Sequence, residues 1–246
     1  MLIDRSTVVI CPDEKAASRE AAERFVCSAV TSVAARGVFT VAVSGGSTPK
    51  RMYEMLARDS SELIPWMETE LFFADERCVP PESDQSNYRN VHELLLATVP
   101  IPETNVHRAR GEDEPEAAAR KYESEIHEVL GESPAFDLIV LGMGADTHTA
   151  SLFPHSPALR ETGRHFVANY VEKLSEHRLT LTLQTINQAA TVIILAFGKE
   201  KAPAVGDALL GAVDVESHPV QAVHPTHGRL LWILDRAAAS HLTDRH

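Results

Sequence analysis

Three short stretches of this 246-residue chain carry side chains that could do chemistry, and each follows an apolar, β-rich run. Gly142-Met143-Gly144-Ala145-Asp146-Thr147-His148 comes after Phe136 to Leu141. It sets a carboxylate and an imidazole two residues apart. A carboxylate can orient an imidazole and keep it basic, as a general base near neutral pH requires. The plainer reading is that His148 only caps a following helix. As a dinucleotide fingerprint the stretch fails, because Thr147 stands where the last glycine should be.

The second stretch, Ser44-Gly45-Gly46-Ser47-Thr48-Pro49, joins a strand to a helix. Glycines let backbone approach a ligand, and a helix N-terminus offers unpaired N–H groups and positive potential, so the loop suits a phosphate. It reads equally as a tight turn with Thr48 as N-cap and Pro49 at the first helical position. Both can hold together. No P-loop and no G-x-S-x-G elbow is present. The third stretch, Asp75-Glu76-Arg77, offers acid and cation at one strand end, where a solvated charged loop is the ordinary alternative. Arg178 and Lys199 each sit at a strand boundary. Taken singly they are surface charges; with the glycine loop they would form an anion site. His224 and His227 form an H-x-x-H too loose for a metal site without further ligands, and no metal is expected.

These stretches need a frame that brings them together. Short apolar runs alternate with helical patterns: Thr7 to Ile10, Val38 to Val43, Leu71 to Ala74, Phe136 to Leu141, Thr191 to Phe197 and Leu230 to Leu234 read as strands. Glu14 to Ala35 carries apolar residues at helical spacing and meets Gly37, as helices often do. A helix runs from the glycine loop to about Arg58, and Ala118, Tyr122, Ile126 and Leu130 mark another. His165 to Val171 and Arg178 to Leu183 look extended, and Val79 to Ser86 reads as a long functional loop. Continuous apolar strands between helices imply an α/β fold, Rossmann-like, with a mostly parallel sheet covered on both faces. In such sheets ligands bind at the carboxyl ends of the strands, where the three stretches fall.

Composition narrows the function. The chain carries 23 Lys and Arg against 35 Asp and Glu, a net of −12, which disfavours binding to nucleic-acid backbones. With 44% apolar residues it can bury a core, and its length fits a single domain over 1–246. No apolar run approaches the roughly 18–20 residues that cross a bilayer. Asp4 lies within the first residues and no basic stretch precedes an apolar one, so no secretory signal is expected. Cys11, Cys27 and Cys78 are odd in number and widely spaced, which points to a reduced, cytoplasmic protein.

Together these segments resemble the 6-phosphogluconolactonase family. The stretches that carry the resemblance are AVSGGSTPKRMYEML (42–56), FFADERCVPPESDQSNYRN (72–90), LGMGADTHTASLFP (141–154), HRLTLT (177–182), FGKEKA (197–202) and PVQAVHPTHGRLLWILD (219–235). They span most of the chain in the family's order. The resemblance implies one α/β domain of the type shared with glucosamine-6-phosphate isomerases. It also implies hydrolysis of 6-phospho-D-glucono-1,5-lactone in the pentose phosphate pathway without a cofactor. The implied partner is that small-molecule lactone, with no nucleic acid and no membrane, and the protein acts as a monomer or small homo-oligomer.

Residue by residue, His148 matches the family's proposed base and Asp146 its carboxylate neighbour. Arg77 falls near the lactone's developing negative charge, with Asp75 in the same catalytic set. Ser44, Gly45, Gly46, Ser47, Thr48, Arg178 and Lys199 match positions that hold the phosphate. The family usually has Gly where Thr147 stands. A left-handed backbone there would cost a β-branched residue roughly 1–2 kcal/mol, and Thr147→Gly would then be neutral to mildly stabilising. Two other readings stand beside the lactonase. An amino-sugar-phosphate isomerase/deaminase of the same superfamily would carry a Glu where Phe153 stands and tends to an aromatic at Arg77. A non-catalytic sugar-phosphate sensor usually carries a DNA-binding segment, and this chain has no spare basic stretch for one.

Overall fold

The computed structural model describes residues 6–243; Asp4 lies outside the described residues. Seven strands build one sheet: β1 (Ser6–Cys11), β2 (Phe39–Val43), β3 (Thr69–Phe73), β5 (Val106–His107), β6 (Leu138–Gly142), β9 (Thr191–Ala196) and β10 (Arg229–Asp235). Their order is β1-β10-β9-β6-β2-β3-β5, and every pair is parallel. The remaining strands, β4 (Asp75–Arg77), β7 (Phe166–Val171) and β8 (Glu176–Leu181), make a separate antiparallel sheet ordered β4-β8-β7. The two extended segments read between 165 and 183 therefore lie outside the parallel sheet. Sequence periodicity marks a strand, but partner choice depends on long-range pairing that periodicity does not carry.

Helices cover both faces, as the continuous apolar strands require. On one side lie α1 (Glu14–Arg36) and α2 (Lys50–Arg58), which bury Phe25, Met52, Tyr53 and Leu56 against Val41, Val43, Leu71 and Ile193. On the other, α4 (Pro115–Leu130) and α6 (Ala202–Leu210) bury Tyr122, Ile126 and Val205 against Ala42, Phe72, Ile139 and Ile194. Neighbouring residues of β2 thus belong to opposite cores, as a pleated strand dictates. Short helices α3 (Asn87–Val91), α5 (Leu183–Gln188) and α7 (Ser240–Thr243) complete the fold. Gly37 ends α1 in the left-handed conformation (φ 77°), donating to the Val33 carbonyl.

The strand order decides where a ligand goes. From β2 the chain passes to β3 on one side, whereas from β6 it passes by way of the small sheet to β9 on the other. The carboxyl ends of β2 and β6, which lie side by side, form the crevice of a topological switch point. No described helix is long and apolar enough to cross a membrane.

Candidate active site

The glycine loop leaves β2 at the centre of the sheet. Ser44 N–H donates to the Val140 carbonyl (3.1 Å), so the loop starts still paired to β6, and the Tyr53 hydroxyl donates to the Ser44 carbonyl (2.5 Å). Gly45 is needed for closeness: a Cβ there would stand 2.1 Å from Asn87 Oδ1. Gly46 is needed for conformation, with φ at 83°. Pro49, not Thr48, occupies the cap position of α2, and no side chain caps that helix. The free N–H groups of its first turn therefore remain for the loop and a ligand.

The stretch after β6 is a compact loop. Gly144 N–H donates to the His148 carbonyl (2.8 Å), Thr147 N–H to Gly144 (3.1 Å), and the Thr149 hydroxyl to Gly142 (2.9 Å). Turns rather than a helix follow His148, which removes the capping role considered for it. Thr147 holds φ at 63°, in the left-handed region, so a β-branched residue occupies the backbone that glycine favours. Its buried hydroxyl donates to the Asp146 carbonyl (2.6 Å) and lies 3.4 Å from the Ser217 carbonyl and 3.3 Å from His218 Nδ1.

Asp146 Oδ1 and His148 Nδ1 are 2.5 Å apart. An ionised carboxylate only accepts, so Nδ1 carries the proton and Nε2 is left as the basic nitrogen. Lys173 Nζ holds the other carboxylate oxygen at 3.0 Å. The His148 hydrogen bond, opposed in part by burial and aided by Lys173, keeps the Asp146 carboxyl far below the usual carboxylate range. The Phe153 ring stacks on the imidazole at 4.2 Å between centroids and 22° between planes.

The third stretch enters through β4, whose pairing with β8 sets Arg77 opposite Arg178. Asp75 is buried; its carboxylate accepts from the Ser151 hydroxyl (2.7 Å) and from Asn87 Nδ2 (3.2 Å). Glu76 turns away and ties the loop together. It accepts from the N–H groups of Arg77 (2.7 Å), Asn87 (2.7 Å) and Tyr88 (2.8 Å) and from the Ser86 hydroxyl (3.1 Å). Burial pushes its carboxyl up, against the pull of those N–H groups. Arg77 Nη1 donates to the Gln85 carbonyl, and Arg178 Nη1 to Glu176 (2.5 Å).

These walls enclose a cavity of about 500 Å³ at the switch point. Ser44, Gly45, Gly46, Ser47, Thr48, Asp75, Arg77, Asp146, His148 and Arg178 all line it. Lys199 does not. It is exposed, and the cation that this segment sends to the cavity is Lys201. The physical reason is helical phase: Lys199–Lys201 is a 3₁₀ turn, and two residues at roughly 120° each turn the side chain to another side. Asn87, Ser151 and Lys173, to which residue order assigned no role, also line the cavity, as does Phe153, weighed above only as the place of a Glu. All but Lys173 lay within the stretches that carried the resemblance, so their positions were marked but not their roles.

Comparison with known proteins now bears on this geometry. Residues 12–232 match the family described as glucosamine-6-phosphate isomerases/6-phosphogluconolactonase. The chain belongs to that family. A 6-phosphogluconolactonase of Synechocystis is 40% identical over 215 residues, covering 85% of this chain and 87% of its own. One from Nostoc is 36% identical over 244 residues, covering 97% and 99%. Among solved structures, the 6-phosphogluconolactonase from Trypanosoma cruzi superposes with a TM-score of 0.86 at 30% identity, covering 98% of each chain. A monomeric glucosamine-6-phosphate deaminase, at 23% identity and a TM-score of 0.81, shares the fold.

Proposed function

We propose that the chain hydrolyses 6-phospho-D-glucono-1,5-lactone to 6-phospho-D-gluconate, in the pentose phosphate pathway, with His148 as the general base. The observation that carries this reading is the Asp146–His148 pair at 2.5 Å, in a cavity whose other walls carry cations and a glycine loop. His148 Nε2 takes a proton from water, and the oxygen attacks the lactone carbonyl carbon. The tetrahedral oxyanion is met by the Arg77 guanidinium or by loop N–H groups. When the carbonyl re-forms, the ring oxygen leaves and receives the proton from Nε2. Asp146 holds Nδ1–H throughout and stabilises the transient imidazolium.

The phosphate end rests on the Ser44–Thr48 loop at the start of α2, with Arg178 and Lys201 as the cations. Lys201 is the better placed of the two lysines considered, and it makes no ion pair among the described residues. The buried Asp75 carboxylate, steadied by Ser151 and Asn87, is suited to accept from a sugar hydroxyl. This chemistry uses no cofactor. Three free cysteines, Cys11, Cys27 and Cys78, favour the cytoplasm as the place where the protein works. The isomerase/deaminase alternative is weaker, because Phe153 offers stacking rather than a carboxylate beside His148. The test is His148→Ala, assayed against spontaneous lactone hydrolysis. The catalysed rate should fall about 10²–10⁴-fold with the fold intact; near-native turnover would remove His148 from the mechanism.

A further inference from the structure

The Asp146 bond alone does not fix the His148 ring. A single hydrogen bond at Nδ1 sets one point and leaves the imidazole free to swing about the Nδ1···Oδ1 line. Two other groups remove that freedom. On the Nδ1–Cε1 edge the ring is packed against Gly144, where a Cβ would stand 2.2 Å from Nδ1 and 2.3 Å from Cε1. Across one ring face lies Phe153, nearly parallel at 4.2 Å. Nε2 has no hydrogen-bond partner among the described residues, and His148 lines the cavity.

Phe153 also separates two spaces. It lines the 500 Å³ cavity and a neighbouring crevice of about 990 Å³ bordered by Pro157, Tyr170, Glu172 and Ser175. Asp146 and Lys173 lie on the same boundary, so the partition consists of the Lys173–Asp146 ion pair and this one aromatic ring. Without the ring, the crevice would open onto the imidazole face.

We propose that Phe153 is a positioning residue: it clamps the His148 imidazole so that Nε2 points at the reacting water, and it closes the second approach to that ring. The inference rests on the reading of His148 as the base. Misplacing a reacting group by about 1 Å costs on the order of 10²-fold. Phe153→Ala should therefore lower kcat by about 10–100-fold while KM stays within about 3-fold, because the phosphate contacts lie elsewhere. Phe153→Tyr, which keeps a ring face, should recover kcat to within about 3-fold.

The deciding comparison sets Phe153→Ala, His148→Ala and the double variant side by side on the phosphorylated lactone, with thermal melts to confirm folding. If Phe153 acts through His148, the double variant is no slower than His148→Ala. Three results overturn the proposal: near-native kcat in Phe153→Ala, a loss that appears in KM alone, or an equal further loss in the His148→Ala background. Should the alanine variant fail to fold, Phe153→Leu fills the space without a planar face, and near-native kcat there would equally overturn it. His148→Ala with high turnover would instead sink the base assignment itself, which separates the two failures.

Discussion

Replacing Thr147 by Gly tests how a catalytic loop tolerates a β-branched residue in left-handed backbone. The strain at φ 63° favours the substitution by roughly 1–2 kcal/mol. Three effects oppose it. The hydroxyl that donates to the Asp146 carbonyl and lies close to Ser217 and His218 contributes about 0.5–1.5 kcal/mol. The side chain is 2% exposed, and its buried methyl adds about 0.8 kcal/mol. Glycine also loosens the unfolded chain, by about 0.5–1 kcal/mol. The losses exceed the gain, so Thr147→Gly should destabilise by about 0.5–1.5 kcal/mol, a fall of roughly 1–6 °C in Tm for a chain of this size. This reverses the sign expected when only backbone strain and the entropy of the unfolded chain are weighed. Thr147→Val keeps the strain and loses the hydroxyl, so it should be at least as destabilising, by about 1–3 kcal/mol. Activity of the glycine variant should stay within about 10-fold of native, because Gly144 N–H still holds the His148 carbonyl. The assay is a pair of thermal or urea melts read beside lactonase rates. A glycine variant more stable than native by over about 0.5 kcal/mol would refute the reasoning, since the hydroxyl and methyl would then contribute nothing.

Arg178→Ala or Lys201→Ala should each cost about 1.5–3 kcal/mol in kcat/KM on the phosphorylated lactone and little on the unphosphorylated one; Lys199→Ala should change neither, and equal losses on both substrates would make the two cations structural. His107, which does not line the cavity, links β3, β5 and α4, with Glu70 2.7 Å from Nε2 and Glu125 2.8 Å from Nδ1. Carboxylates only accept, so both ring nitrogens must donate and the ring is imidazolium. Burial opposes the charge, but the two carboxylates outweigh it and raise the His107 pKa. Its contribution to stability is therefore full below the unfolded pKa of about 6.5 and is lost as pH rises through the higher folded value. The stability difference between native protein and His107→Gln should shrink as pH rises, with a slope of at most about 1.4 kcal/mol per pH unit; a difference that stays flat or grows in urea melts would contradict the charged assignment.

Several features of the fold and site were legible from residue order because their causes are local. A run such as Thr191 to Phe197 has only apolar and β-branched side chains to place, so it reads as a buried strand wherever it pairs. Gly45-Gly46 before Pro49 announces a strand-to-helix turn because the needed backbone freedom belongs to those residues alone. The Asp146–His148 spacing likewise states its chemistry within three residues. Other features depend on groups far apart in the chain, and those only the tertiary structure decided. Lys199 and Lys201 are alike in the sequence; the phase of a 3₁₀ turn after Gly198 (φ 90°) sends one to solvent and the other to the cavity. Asp75 was visible as a carboxylate, but its support by Ser151 and Asn87 needs two loops to meet. Lys173 is an exposed cation, and only the small antiparallel sheet brings it 3.0 Å from Asp146. For Thr147, the sequence supplied the cost of a β-branched residue in left-handed backbone. The compensating contacts come from Ser217 and His218, some seventy residues away, because burial against a distant loop is a property of packing rather than of local preference.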